Sequence, residues 1–145
     1  MAQFHSTFYS FGRNSGLNAA AFQKYFLQYD PDEWEEEGGG SLQYFSDESN
    51  VISLVILQNT KYGIMLSYDC YNKTNKQTLQ DCYSVGNSEK LNIIEDVGDE
   101  EFFPVGSFLK PEQAWLAVED FFSDPTKISD RIEWIASDQI EWPEE

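Results

Sequence analysis

Residues 102–134 read FFPVGSFLKPEQAWLAVEDFFSDPTKISDRIEW, and this stretch decides the fold. Pro111 sits where a helix can begin, because a first-turn residue has no intrahelical use for its N–H and proline already holds the required φ. From there Ala114, Trp115, Val118, Phe121 and Phe122 fall on one stripe, while Glu112, Gln113, Glu119 and Asp120 point away from it. Leu116 falls on the exposed side. Three aromatic rings on one stripe need a wide apolar surface, and a β-sheet is the usual one. Asp124-Pro125 then stops the helix, and Ile132-Glu133-Trp134 reads as a short closing strand. The stretch is a lid on a sheet.

Working outward, 145 residues suit one domain that buries roughly two-thirds of its unfolded surface. Apolar residues make up 41% and aromatics 16%, too rich for a disordered chain even at a net charge of -17. No run approaches the roughly 20 apolar residues of a membrane span, and Met1-Ala2-Gln3-Phe4-His5 lacks the basic-then-apolar signature of a secretory signal. A soluble, cytoplasmic chain is expected. With 26 acidic residues against 9 basic, its surface repels phosphate and anionic lipid. The balance argues against nucleic acid or membrane as partners and for a basic protein, although solubility alone would also account for it. The free chain is taken as a monomer by default.

Upstream, Leu17–Tyr29 reads as a helix: Asn18 can cap it, Ala19-Ala20-Ala21 favour it, and Phe22, Tyr25, Phe26 and Tyr29 form its apolar stripe. Residues 1–16 read as irregular or strand-like. Asp30 to Gly40, DPDEWEEEGGG, reads as a loop made strongly negative by Asp32, Glu33, Glu35, Glu36 and Glu37. Trp34 in its middle either tucks back onto the domain or serves as an aromatic anchor ringed by charge, the composition of an interface centre.

From Ser41 the period becomes that of a sheet. Ser41–Asp47 alternates weakly, Val51–Leu57 reads as a central strand covered on both faces, and Gly63–Tyr71, Leu79–Val85 and Leu91–Glu95 follow between polar turns. Asp96 to Glu101 is a second acidic loop, carrying Asp96, Asp99, Glu100 and Glu101. The predicted fold class is α+β, an antiparallel meander of about five strands with an N-terminal and a C-terminal helix packed on it. No domain-scale repeat occurs, although Asp130–Trp134 is echoed by Asp138–Trp142.

The residues offer little chemistry. His5 is the only histidine, no Ser or Cys sits in a Gly-flanked elbow, and Gly38-Gly39-Gly40 has no lysine at phosphate-loop spacing. Ser84 reads as a turn hydroxyl. Carboxylate pairs occur throughout, so none points to acid/base work, and Asp96 to Glu101 is too short for a calcium loop. Cys70 and Cys82 are expected as free thiols that could lie near one another across a hairpin, and two Cys with one His make no structural zinc site. We expect no catalytic residue, no metal and no cofactor.

Tyr83-Ser84-Val85-Gly86-Asn87, then Pro104 and Ser107-Phe108-Leu109, then a helix carrying Ala114, Ala117, Asp120, Phe121 and Phe122, and finally Ile132-Glu133-Trp134 follow one another at an informative spacing. In this order, over residues 41 to 134, the chain resembles immunity family one of the bacterial polymorphic toxin systems. Asn87 stands where that family commonly has an acidic residue; both Trp134 and Trp142 are candidates for its terminal tryptophan, and spacing from Phe122 favours Trp134. The resemblance implies binding without catalysis: a cytoplasmic antidote that covers the active site of a cognate toxin domain, often a nuclease or nucleic-acid deaminase with a basic groove. The motif residues would then be architectural, leaving recognition to the acidic stretches at 30–40 and 96–101. The alternative from another class is an acidic adaptor or regulatory module for some other basic protein.

Overall fold

The structure, a computed structural model, describes residues 3–6, 19–37, 39–46, 49–97, 102–140 and 142. It is α+β, as expected. Strands β1 (Gln3–Ser6), β2 (Gly40–Phe45), β3 (Asn50–Asn59), β4 (Gly63–Asn72), β5 (Gln77–Val85) and β9 (Glu133–Ala136) lie side by side in that order, all antiparallel. The far edge of β4 is shared: β5 takes Ser67–Asn72, and the two-residue β8 (Phe108–Leu109) takes Ile64 and Met65. A separate small hairpin joins β6 (Ile94–Asp96) to β7 (Phe102–Pro104). The acidic stretch from Asp96 is the tip of this hairpin; Asp96 ends β6, while Asp99, Glu100 and Glu101 lie outside the described residues.

Helix α1 (Ala19–Leu27) and helix α3 (Pro111–Ser123) pack on each other and on one face of the sheet. The α3 stripe is the predicted one: Ala114, Trp115, Val118 and Phe121 are buried, with Ala117 added between them. The helix starts at Pro111, where Gln113 Oε1 accepts the N–H of Lys110 at 3.2 Å. Trp115 meets Phe26 of α1 at a ring separation of 5.5 Å, and Phe122 meets Phe22 at 5.3 Å. Beneath them Leu42, Ile52, Leu54, Ile56, Ile64, Leu66 and Tyr68 give the sheet its inner face. Burial pushes the Tyr68 hydroxyl up to about 12, and its proton is donated to the Pro125 carbonyl at 2.8 Å.

Three expectations need correction. Residues 31–37 are not loop but a short helix, α2 (Pro31–Glu37). The Asp-Pro pair that reads as a breaker is its start: Asp30 Oδ1 accepts the N–H of Asp32 at 3.0 Å, Pro31 fills the first turn, and Asp32 and Glu33 suit the positive end of the helix dipole. Strand β3 is not covered on both faces. Ile52, Leu54 and Ile56 are buried under the helices, but Val55 on the other side is 39% exposed. Ser84 is no turn hydroxyl. It is fully buried in β5, where its oxygen accepts the Leu66 N–H at 3.0 Å and its proton goes to the Ser107 carbonyl at 2.7 Å.

Ser84 belongs to a knot of close backbone approaches. The N–H groups of Gly86 and Asn87 both donate to the Gly106 carbonyl, at 2.7 and 2.9 Å. A Cβ on Gly86 would lie 2.0 Å from the Phe108 oxygen, and one on Gly106 would lie 2.3 Å from the Asn87 oxygen, so only glycine allows the two segments to meet. Cys70 and Cys82 are free thiols on the helix side of β4 and β5, paired with Gln80 and Tyr68 rather than with each other. Burial pushes both thiols up, away from thiolate. No helix among the described residues is long and apolar enough to cross a membrane.

Candidate partner-binding surface

The first predicted acidic stretch and the described start of the second segment are both bonded to one turn. On α2, Asp32, Glu33, Glu35 and Glu36 are exposed. The β3–β4 turn then reaches both ways: Thr60 donates to Glu35 Oε1 at 2.6 Å, while Asn59 Nδ2 donates to the Val97 carbonyl at 3.1 Å and the Tyr62 hydroxyl donates to Glu95. Asn59 Oδ1 also accepts the N–H groups of Lys61 and Tyr62, fixing the turn itself. Two segments far apart in sequence, α2 and the β6–β7 hairpin, are thereby bonded to one short loop. Glu35 and Glu95 are thus each hydrogen-bonded to this loop, at Thr60 and Tyr62. Lys61 sits amid them with its ammonium 5.0 Å from the Tyr62 ring centre. The Tyr62 hydroxyl first, and then the Glu95 carboxylate, raise the Lys61 pKa and keep it charged.

Trp34 is not part of this surface. It is fully buried, edge-on to Phe26 at 5.4 Å and beside Tyr29 at 6.2 Å, with its indole N–H donated to the Tyr25 carbonyl at 3.1 Å. Of the two readings of this residue, the structure takes the one in which it tucks back onto the domain. The reason is helical: with 31–37 coiled, one face of α2 is turned to β3, and Trp34 is the apolar residue on it. An amphipathic pattern with a single apolar residue is too short to announce itself as a helix. Nothing is described of the Glu37 side chain.

Sequence reasoning missed a second surface, on the sheet face away from α1 and α3. Antiparallel register places Ser41, Val55, Ser67 and Tyr83 in one row across it, and Gln43, Ser53, Asp69 and Asp81 in the next. Phe103 of β7 stacks on Tyr83 at 6.0 Å, and Trp142 closes a three-ring cluster at 5.5 Å from Tyr83 and 6.3 Å from Phe103. Beside this cluster lies a shallow groove of about 550 Å³ whose lining includes Val55, Leu57, Met65, Ser67, Tyr83 and Phe103. Asp81 accepts a hydrogen bond from Ser137 Oγ at 2.9 Å. Burial, and then the facing Asp81 carboxylate, push the Asp69 carboxyl above its usual range. Like charges directly opposed in an antiparallel pair destabilise a sheet.

On the helix side, Arg131 clamps the C-terminal segment to α3. It donates to Asp120 at 2.6 and 3.0 Å, to Glu119 at 2.8 Å and to the Leu116 carbonyl at 3.0 Å, and Ser129 Oγ adds a 2.6 Å bond to Asp120. Burial pushes the Asp120 carboxyl up, but the hydrogen bonds from Arg131 and Ser129 outweigh it and hold the group below the usual carboxylate range. Among the described residues no group of three or more His, Cys, Asp or Glu is arranged to hold a metal ion.

Comparison with protein-family models, curated proteins and solved structures finds no match to this chain.

Proposed function

We propose that this chain is a binding module of the immunity type, which neutralises a cognate toxin domain by occluding its active site. The observation that carries the reading is the joining of the two acidic segments at the β3–β4 turn, on a chain of net charge -17. A nuclease or nucleic-acid deaminase must expose a basic groove to hold its substrate, and a consolidated acidic surface competes for that groove with the phosphates themselves. The residues quoted for the family resemblance support it further, since Ser84 bonds to Ser107, and Gly86 and Asn87 bond to the neighbouring Gly106, which leaves recognition to the surface. The acting residues are Asp32, Glu33, Glu35, Glu36, Glu95 and Asp96. The test is co-expression with the C-terminal toxin domain of a large secreted protein encoded beside this chain. Restored growth and a co-eluting complex are expected, and a toxin that kills equally with and without this chain would overturn the reading.

A further inference from the structure

The sheet face away from the helices combines three features. One row of its floor alternates Val55 and Tyr83 with Ser41 and Ser67, and the groove there has room for a side chain or two. The next row presents Asp69 and Asp81 facing each other across β4 and β5. Among the described residues neither carboxylate has an ion-pair partner; Lys73, past the end of β4, lies over the Phe45 ring at 5.2 Å. Two like charges placed in register on a half-buried surface cost stability by themselves, and a cation bound between them would reverse that cost. Guanidinium suits the place better than ammonium, being planar, able to fork to two carboxylates and stackable on the Tyr83 ring.

We propose that this face is a docking surface for a protein segment presenting an arginine flanked by apolar side chains, with the guanidinium between Asp69 and Asp81 and the apolar neighbours on Val55 and Tyr83. The occupant is fixed by charge complementarity: an acid pair beside this floor repels a nucleic acid and an acidic second copy of this chain alike. The proposal deepens the binding-module reading and rests on it only for the partner being a protein.

The test is a titration of the full chain, labelled for amide NMR, with acetyl-Leu-Arg-Leu-amide and its citrulline counterpart up to about 5 mM, the range of weak single-residue contacts. The arginine peptide should give saturable shifts confined to residues 53–57, 65–69 and 81–83, and the citrulline peptide should bind about tenfold more weakly or not at all. Asp69→Asn and Asp81→Asn, which keep side-chain shape and relieve repulsion, should fold and lose that preference. Shifts spread over α2 and Glu95 instead, shifts unchanged in the Asn variants, or no saturable shift would each overturn the proposal. A positive result with no toxin binding would sink the toxin reading and leave this site standing, whereas toxin binding undisturbed by both Asn variants would sink this site alone.

Discussion

Trp134 and Trp142 make the same hydrogen bond on opposite faces of the sheet. Each indole N–H is donated to the carbonyl of the serine five residues earlier, Ser129 at 2.8 Å and Ser137 at 2.9 Å. The motif Ser-Asp-x-Ile-Glu-Trp occurs twice, and each copy folds its tryptophan back over its own start. The environments differ: Trp134 packs on Tyr68 beneath the helices, while Trp142 lies 37% exposed on Tyr83 and Phe103. Trp134→Ala should therefore cost about 3 kcal/mol and Trp142→Ala about 1 kcal/mol. Denaturant midpoints of the two variants check it; equal losses would mean the copies are structurally equivalent.

Trp34 carries stability and not recognition. Trp34→Ala opens a void between α2, α1 and β3 and frees the Tyr25 carbonyl, so it should cost about 3–5 kcal/mol, as should Trp115→Ala. Partner dissociation from the folded fraction should stay unchanged, which kinetic binding under strongly native conditions would reveal.

Two carboxylates titrate with opposite signs. Asp69 has a raised folded pKa, so its cost is present at neutral pH and vanishes as the pH falls through that value. Asp120 has a lowered one, so its stabilisation survives down to the ordinary value of 3.8 and is lost only below, through its folded pKa. Asp69→Asn should thus be more stable than the parent at pH 7 and lose that advantage on acidification. Asp120→Asn should be less stable than the parent at pH 7, remain so as the pH falls toward 3.8, and lose that deficit only below it. Urea midpoints over this pH range distinguish them.

On the immunity-type reading proposed above, charge on α2 and the β6–β7 hairpin should act on association. Glu33→Lys, Glu36→Lys and Asp96→Lys together should slow binding to a basic toxin domain about tenfold or more near 10 mM salt and far less near 500 mM. The dissociation rate should hardly move. Stopped-flow or surface binding at both ionic strengths gives the answer, and a salt-independent loss would place these residues in the contact itself or in the fold.

The long periodic elements were legible because their burial is built into local spacing. Trp115, Val118 and Phe121 lie i, i+3, i+6 along a helix of 13 residues, and such a stripe has one face to hide. Helix α2 was not legible: seven residues cannot show a period, and its capping Asp-Pro is also the signature of a turn. The acidic residues were legible as charge, but nothing local tells that Glu35 and Glu95 border one turn, because that follows from where α2 and β6 dock.

The register of β5 marks the boundary most sharply. Counting back from the β4–β5 turn, Asn72 faces Gln77 and Tyr71 faces Thr78; regular pairing would then set Asp69 against Gln80. Instead Leu79 is an extra residue in β5, Cys70 faces Gln80, and Asp69 meets Asp81. A one-residue step moves every later side chain of a strand to the other face, so the bulge sends Tyr83 and Asp81 to the open side and Ser84 into the core. The sequence by itself determined the α+β class, the helix stripe and the charge, since each follows from composition or local period. Only the tertiary structure decided which face is left open and which carboxylates meet there, because a bulge is chosen by the packing of the whole sheet and not by the residues beside it.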